Sequence, residues 1–288
     1  MERRFMRSLL TVLAVLAATS PAFAAKKEDL PPTLETMAEL RKIEAAGYHD
    51  AIAPFRIKYQ ELARQKPGDV MPRVFVAWCT LPSDDAWNQL KGISTIYPDN
   101  PWVRYGMGRI YTSWRGMTDL ARTEFEAVLK RDPTFFPALV GLGDVARVKE
   151  DFELAETKYR AALAIADDPF ARAGLGLALA GQKKNDAALT ELKRAIDQHP
   201  EQPAALNALV ALASAAKDPG VIVASERLAE LRPKDRDARR QLADLRFAAV
   251  DKAGAAKEYD RLVRLGGADL ATQQRLAALY RELNDTEG

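Results

Sequence analysis

The feature that most limits what this chain can fold into is a self-similarity with a period near 34 residues. Leu142-Gly143 is followed by Ala155, Tyr159 and Ala162-Leu163, and Leu175-Gly176 by Ala188, Leu192 and Ala195-Ile196. Twelve residues separate glycine from alanine in both stretches, and four separate that alanine from the Tyr or Leu. The second half recurs upstream as Ala121, Phe125 and Val128-Leu129, and downstream as Ala255, Tyr259 and Leu262-Val263. Apolar residues at spacings of three, four and seven make one face of a helix. Small residues at fixed places let two helices approach closely. Pro133, Pro200 and Pro233 cannot continue a helix and so mark the ends of units. A repeat this short cannot bury its apolar face alone; it does so by stacking, and a stack grows without adding domains.

This pattern resembles the tetratricopeptide repeat, a helix–turn–helix unit of about 34 residues. Met107-Gly108 with Tyr111, then Ala121, Phe125 and Pro133, is the fullest match, with one extra residue in the turn between its helices. At the family's tryptophan position stand Arg104, Leu139 and Arg172. The resemblance implies an all-α fold, a right-handed α-solenoid of stacked antiparallel helix pairs. Carrying the register outward predicts seven repeats, at 33–67, 69–98, 101–133, 136–167, 168–200, 203–233 and 236–267. The second helix of the first repeat reads about one turn too long. A last helix over 270–284 carries Gln273, Gln274, Arg275, Arg281 and Glu282, a polar face suited to capping the stack.

The N-terminus reads differently. Arg3, Arg4 and Arg7 precede an apolar run from Leu9 to Ala18, and Ala22-Phe23-Ala24 offers small residues before a cut. This is the pattern of a secretory signal peptide over residues 1–24, cleaved before Ala25, with residues 25–32 as a short leader. The run is much shorter than the ~20 residues that span a bilayer. Arg3-Arg4 hints at twin-arginine export, but the residues after it fit ordinary secretion better. The expected location is the periplasm, with no transmembrane segment in the mature chain. Residues 1–24 hold three arginines and one glutamate, so their removal takes 42 basic and 40 acidic residues to 39 of each. A neutral mature chain has no general pull on nucleic acid.

Catalytic chemistry finds few residues to use. Cys79 is the sole cysteine, which excludes an internal disulfide, and in Val76-Ala77-Trp78-Cys79 it reads as a small buried residue. His49 and His199 both fall at helix boundaries, about four repeats apart, and read as exposed. No His or Cys cluster has metal-ligand spacing, and no cofactor is expected. Glu150, Asp151, Glu153, Glu156, Glu226 and Glu230 read as solvated helix surface. Gly141-Leu142-Gly143 and Gly174-Leu175-Gly176 follow no strand, so they read as packing sites and not phosphate loops.

What remains is binding. In the family that this chain resembles, the first helices of the pairs line the concave side and ligands lie there. The register places Trp102, Tyr105 and Arg109 on that face in the third repeat, Asp144 and Arg147 in the fourth, and Phe75 and Trp78, with Met71, in the second. All four tryptophans, Trp78, Trp87, Trp102 and Trp114, fall in this half. Aromatic residues and arginine are enriched at binding hot spots. Such rings line a partner groove or fill contacts between divergent repeats, and the sequence leaves both open. A family subtype grips a terminal carboxylate with Lys, Asn and Arg on its first helices; Tyr105, Arg109, Val140 and Asp144 stand here instead. The functional expectation is a non-catalytic protein–protein scaffold of the bacterial cell envelope. It would serve assembly of an outer-membrane, pilus, motility or polysaccharide-secretion machine through protein partners, with room for weak self-association at the stack ends. The alternative is a glycan or peptidoglycan binder, with Trp102 and Tyr105 stacking on sugar rings.

Overall fold

The structure, a computed structural model, describes residues 33–48, 51–113 and 116–285. Among them are fifteen α-helices and no strand. In order they are α1 (Thr33–Tyr48), α2 (Ala53–Gln65), α3 (Met71–Trp78), α4 (Asp84–Ile96), α5 (Pro101–Ser113), α6 (Thr118–Arg131), α7 (Phe136–Val148) and α8 (Phe152–Ile165). They continue as α9 (Pro169–Gly181), α10 (Asn185–Gln198), α11 (Pro203–Ala215), α12 (Gly220–Leu231), α13 (Arg236–Ala248), α14 (Lys252–Arg264) and α15 (Leu270–Asp285). The signal-peptide and leader segments, His49 and Trp114 lie outside the described residues. The chain divides into two compact units, residues 1–42 and 43–288. In the first, the described residues are 33–42, where Lys42 pairs with Glu39 at 3.2 Å.

In the second unit each helix from α2 onward packs on the next, and α3, α5, α7, α9 and α11 also pack on one another in a row. This is the α-solenoid of antiparallel helix pairs. Helix α2 has 13 residues, the length common to the later helices, so the extra turn expected there is absent. Prolines sit at the starts of first helices, at Pro101, Pro137, Pro169 and Pro203, where a missing N–H costs nothing. Asp168 and Asp235 cap the helices that follow them, accepting from Ala171 N at 2.8 Å and Ala238 N at 3.1 Å.

The turn inside four of the pairs, α7/α8, α9/α10, α11/α12 and α13/α14, repeats a single geometry. Glu150, Lys183, Lys217 and Val250 have φ of 60°, 62°, 55° and 64°. The next N–H then donates to the carbonyl five residues back: Asp151 to Ala146 at 2.9 Å, Lys184 to Leu179 at 2.9 Å, Asp218 to Ala213 at 2.8 Å and Asp251 to Arg246 at 3.0 Å. This left-handed closure is a common way for helices to end. In the α5/α6 pair the left-handed residue is Gly116, and the bond from Met117 to Tyr111 (2.8 Å) spans one residue more. That is the extra residue read in the third repeat.

Two glycines on each of the first helices α5, α7 and α9 explain the close approach. A Cβ on Gly143 would lie 2.7 Å from the Tyr159 ring, and one on Gly174 would overlap the same ring. Phe125 is held in the same way between Gly108 and Gly141. The second helices α6 and α8 thus each drive a ring between their own first helix and the next one. Phe125, Tyr159 and Tyr259 are fully buried as a result, as is Leu192, which does the same against Gly176.

The family's tryptophan position has a different use here. Arg104 donates to Glu124, Arg172 to Glu191 and Arg239 to Glu258, each at 2.9 Å. The acceptor is in every case the residue just before the interlocking ring or leucine. Arg239 and Glu258 are both buried, and Arg261 donates to the second carboxylate oxygen at 2.8 Å. The arginine joins the two helices of a pair where an indole would otherwise fill the space.

Candidate functional site

The residue after the packing position occupies one register site on successive first helices: Glu44 on α1, Trp78 on α3, Arg109 on α5 and Asp144 on α7. The structure joins the first three directly. Glu44 Oε1 accepts from Trp78 Nε1 at 3.3 Å and from Arg109 Nη2 at 3.2 Å. Arg109 Nη1 donates to Tyr105 Oη at 3.3 Å, and its guanidinium carbon stands 5.9 Å from the Trp78 ring. Burial works to lower the Arg109 pKa, but Tyr105, Glu44 and Asp144 together raise it above the ordinary arginine value. Its cation is therefore permanent. With 31% of its side chain exposed, Arg109 offers charge to solvent while anchored on two sides.

The next step of the row is looser. Asp144 Oδ1 accepts from Tyr159 Oη at 2.7 Å and lies 3.7 Å from Arg147 Nη2. That separation is an ion pair without a proper hydrogen bond. Arg147 Nε is buried with no partner, while the side chain as a whole is 34% exposed. Burial pushes Arg147 down, and Asp144 and Tyr159 bring it back above its usual value. Desolvation, reinforced by Asp144, raises the Tyr159 phenol well above 10, so it stays a donor.

Three of the expected rings lie inside the protein. Trp78, Trp102 and Tyr105 are all but fully buried. Trp78 stacks on Tyr105 with centroids 5.6 Å apart, and Trp102 meets Phe135 edge-on at 4.8 Å. Phe75 packs on Tyr59 at 4.7 Å, and Met71 is buried. Trp87 stands edge-on to Tyr111 at 5.8 Å. The exposed chemistry of this face is carried by Arg109, Asp144 and Arg147, with the aromatic residues as their support. Glu44 was not singled out in the sequence, and Tyr159 was read there only as a residue of the repeat. Glu44 is found by extending the register one repeat upstream, where Trp78 lies 34 residues on.

Other residues fall away from this row. Cys79 is buried and free, and desolvation pushes its thiol up to about 11. His199 is partly buried with its ring 5.2 Å from Phe170, so the exposed boundary position expected for it is corrected by that contact. A second polar recess of ≈ 690 Å³ opens between α11, α12 and α13, lined by Asn207, Arg232, Asp237, Gln241 and Asp244 over an apolar floor that includes Leu228. No group of three or more His, Cys, Asp or Glu among the described residues could hold a metal ion. No described helix is long and apolar enough to cross a membrane.

Residues 115–172 match the family model described as tetratricopeptide repeat. No curated protein matches the chain in sequence. Among solved structures, the crystal structure of the APC/C hetero-tetramer Cut9–Hcn1 is similar with a TM-score of 0.60 and 14% identity, over 86% of this chain. This chain spans 48% of that one, about half its length. TTC0263, a thermophilic TPR protein in Thermus thermophilus, is similar with a TM-score of 0.50 and 19% identity, over 64% of this chain and 99% of that one. The helix pairs, their interlocking small residues and this match lead to one assignment: residues 115–172 are tetratricopeptide repeat, and the described chain has the fold of a tetratricopeptide-repeat solenoid.

Proposed function

We propose that this protein is a non-catalytic protein–protein interaction scaffold of the bacterial cell envelope, exported by residues 1–24 and serving the assembly of an envelope machine. A stack of this kind implies protein binding, because its successive first helices offer polar side chains at a fixed repeat. The observation that carries the reading is the half-exposed row of Arg109, Asp144 and Arg147, held from beneath by Glu44, Tyr105 and Tyr159. Charged groups fixed in this way recognise a partner with less ordering cost than free surface chains. The envelope part rests on the basic start, apolar run and Ala22-Phe23-Ala24 of the sequence. Stacking on sugar rings is the weaker reading, because Trp102 and Tyr105 keep their faces inside the protein.

The test is in-cell cross-linking followed by partner identification, with the double variant Arg109→Gln, Arg147→Gln as comparison. Loss of these charges should lower capture by roughly tenfold, about 1.4 kcal/mol. Undiminished capture by the folded variant would remove the row from the binding face. A mature N-terminus at Ala25 in a periplasmic fraction supports export; an uncut chain in the cytoplasm refutes the envelope assignment.

A further inference from the structure

The charges around the recess between α11, α12 and α13 pair off, and one is left over. Arg232 lies 3.7 Å from Asp235. Arg240 reaches across to the loop before α15, donating to Asp269 at 2.9 Å, Thr272 at 3.2 Å and the Gly267 carbonyl at 2.6 Å. Asp244 accepts from Tyr259 and, at 3.0 Å, from Arg275. Arg236 lies along Gly267, where an added Cβ would meet its Cδ at 2.8 Å. The lining charge that remains is Asp237, which is exposed and has no ion pair or side-chain hydrogen bond among the described residues. Starting α13 does not require it, because Asp235 caps that helix by accepting from Asp237 N and Ala238 N, each at 3.1 Å.

Two amides stand with this carboxylate. Asn207 on α11 and Gln241 on α13 are 34 residues apart, one repeat, and line the recess from neighbouring first helices. Neither side chain has a partner among the described residues. Each offers both donors and an acceptor, as a peptide backbone does at every residue. Beneath them the floor is apolar, with Leu228 and Ala238 buried and Leu245 half-buried. A volume of ≈ 690 Å³ is enough for a ligand larger than one side chain.

We propose that this recess binds a segment of a partner protein through a basic side chain, arginine or lysine, set on Asp237. Asn207 and Gln241 take the backbone amides beside that residue, and the floor takes an apolar neighbour. Charge complementarity selects this occupant. The excess charge of the recess is negative, so an acidic segment meets only repulsion there, and a purely apolar one leaves Asp237 and both amides without partners. The row on α5 and α7 has the opposite balance, with Arg109 and Arg147 on either side of Asp144. This rests on the protein-binding reading of the stack and adds to it a second site, of opposite sign, three helix pairs further along.

The probe is the blocked peptide Ac-Ser-Ala-Leu-Arg-Ala-Ser-NH2, titrated into the ¹⁵N-labelled protein. Saturable shifts of the Asn207 and Gln241 side-chain amide signals are expected, those signals being assigned from the Asn207→Ala and Gln241→Ala variants. Asp237→Asn should weaken binding roughly fivefold, as a partly exposed ion pair warrants. Asp186→Asn, which has the same place in the first turn of α10 and does not line the recess, should leave it unchanged. A peptide with citrulline for arginine should lose the same roughly fivefold on the parent and nothing more on Asp237→Asn. All three positions are exposed, so the variants keep the parent's helical content. Binding should also survive Arg109→Gln with Arg147→Gln, which keeps this test apart from that of the α5–α7 row. Absence of saturable binding, equal binding by Asp237→Asn, or equal binding of a peptide with glutamate for arginine overturns the proposal. Equal affinity for free argininamide overturns it in favour of a small cation, and a dimer that Asp237→Asn dissolves overturns it in favour of a second copy.

Discussion

Gly143→Ala separates steric interlock from helix propensity, because the two predict opposite signs. In an exposed helix, replacing glycine by alanine stabilises by about 1 kcal/mol. At Gly143 the added Cβ would lie 2.7 Å from Tyr159 Cε1 and 2.8 Å from Cδ1 and Cζ. Ordinary contact begins near 3.4 Å, so the ring must retreat by about 0.7 Å. It has no room to do so, since Gly174 of α9 closes on its other face. Its hydroxyl is also tied to Asp144 at 2.7 Å. Overpacking a filled core costs about 1–3 kcal/mol, and straining a hydrogen bond adds up to ~1 kcal/mol. Setting the propensity gain against these leaves a net loss of about 1–2 kcal/mol. Gly92 on α4 is the control, because a Cβ there meets nothing within 4 Å. Gly92→Ala should gain up to about 1 kcal/mol. Urea titration followed by circular dichroism reads both variants on one scale. Two stabilised variants would refute the interlock as the reason for glycine at position 143.

Three further outcomes follow from the same packing. Glu258→Ala leaves Arg239 buried without its carboxylate and should cost about 3–5 kcal/mol, whereas Arg239→Leu with Glu258→Gln, closer to the Leu139 arrangement, should recover most of it in the same titration. Val250 holds φ at 64° with its side chain 73% exposed, a conformation that a β-branched residue adopts only under strain, so Val250→Gly should stabilise by about 1 kcal/mol; a destabilised variant would contradict that. Burial opposes the charge on Glu156, but hydrogen bonds from Gln182, Arg160 and Lys184 prevail and hold its pKa at about 2, below the ordinary 4.5. That stability is full above 4.5 and is lost as pH falls toward 2, so Glu156→Gln should flatten the acid limb of a stability–pH profile.

Much of this fold was legible because its unit is local. A twelve-residue step from Gly143 to Ala155 and a four-residue step to Tyr159 specify two helices and the ring between them within one stretch of chain. The extra residue near Gly116 and the buried place of Cys79 were legible for the same reason. The candidate binding face was legible only as a register. Spacing put Trp102, Tyr105 and Arg109 on one side of α5, but spacing does not say how far a side chain sinks between its neighbours.

That depth was decided by tertiary structure. Trp78 and Tyr105 stack between α3 and α5, so the rings turn inward and leave Arg109 as the exposed group. Glu44 joined the candidate site because it accepts from both Trp78 and Arg109, which brings together residues 65 positions apart. The arginines at 104 and 172 were visible as departures from a family position, and only packing showed that these, and Arg239 with them, each reach a glutamate beside the interlocking ring or leucine. Repeats determine themselves from sequence because their contacts are short-range along the chain. Burial and charge pairing between neighbouring repeats do not, because they depend on what the adjacent helix leaves unfilled, as the buried rings of Trp78 and Tyr105 show.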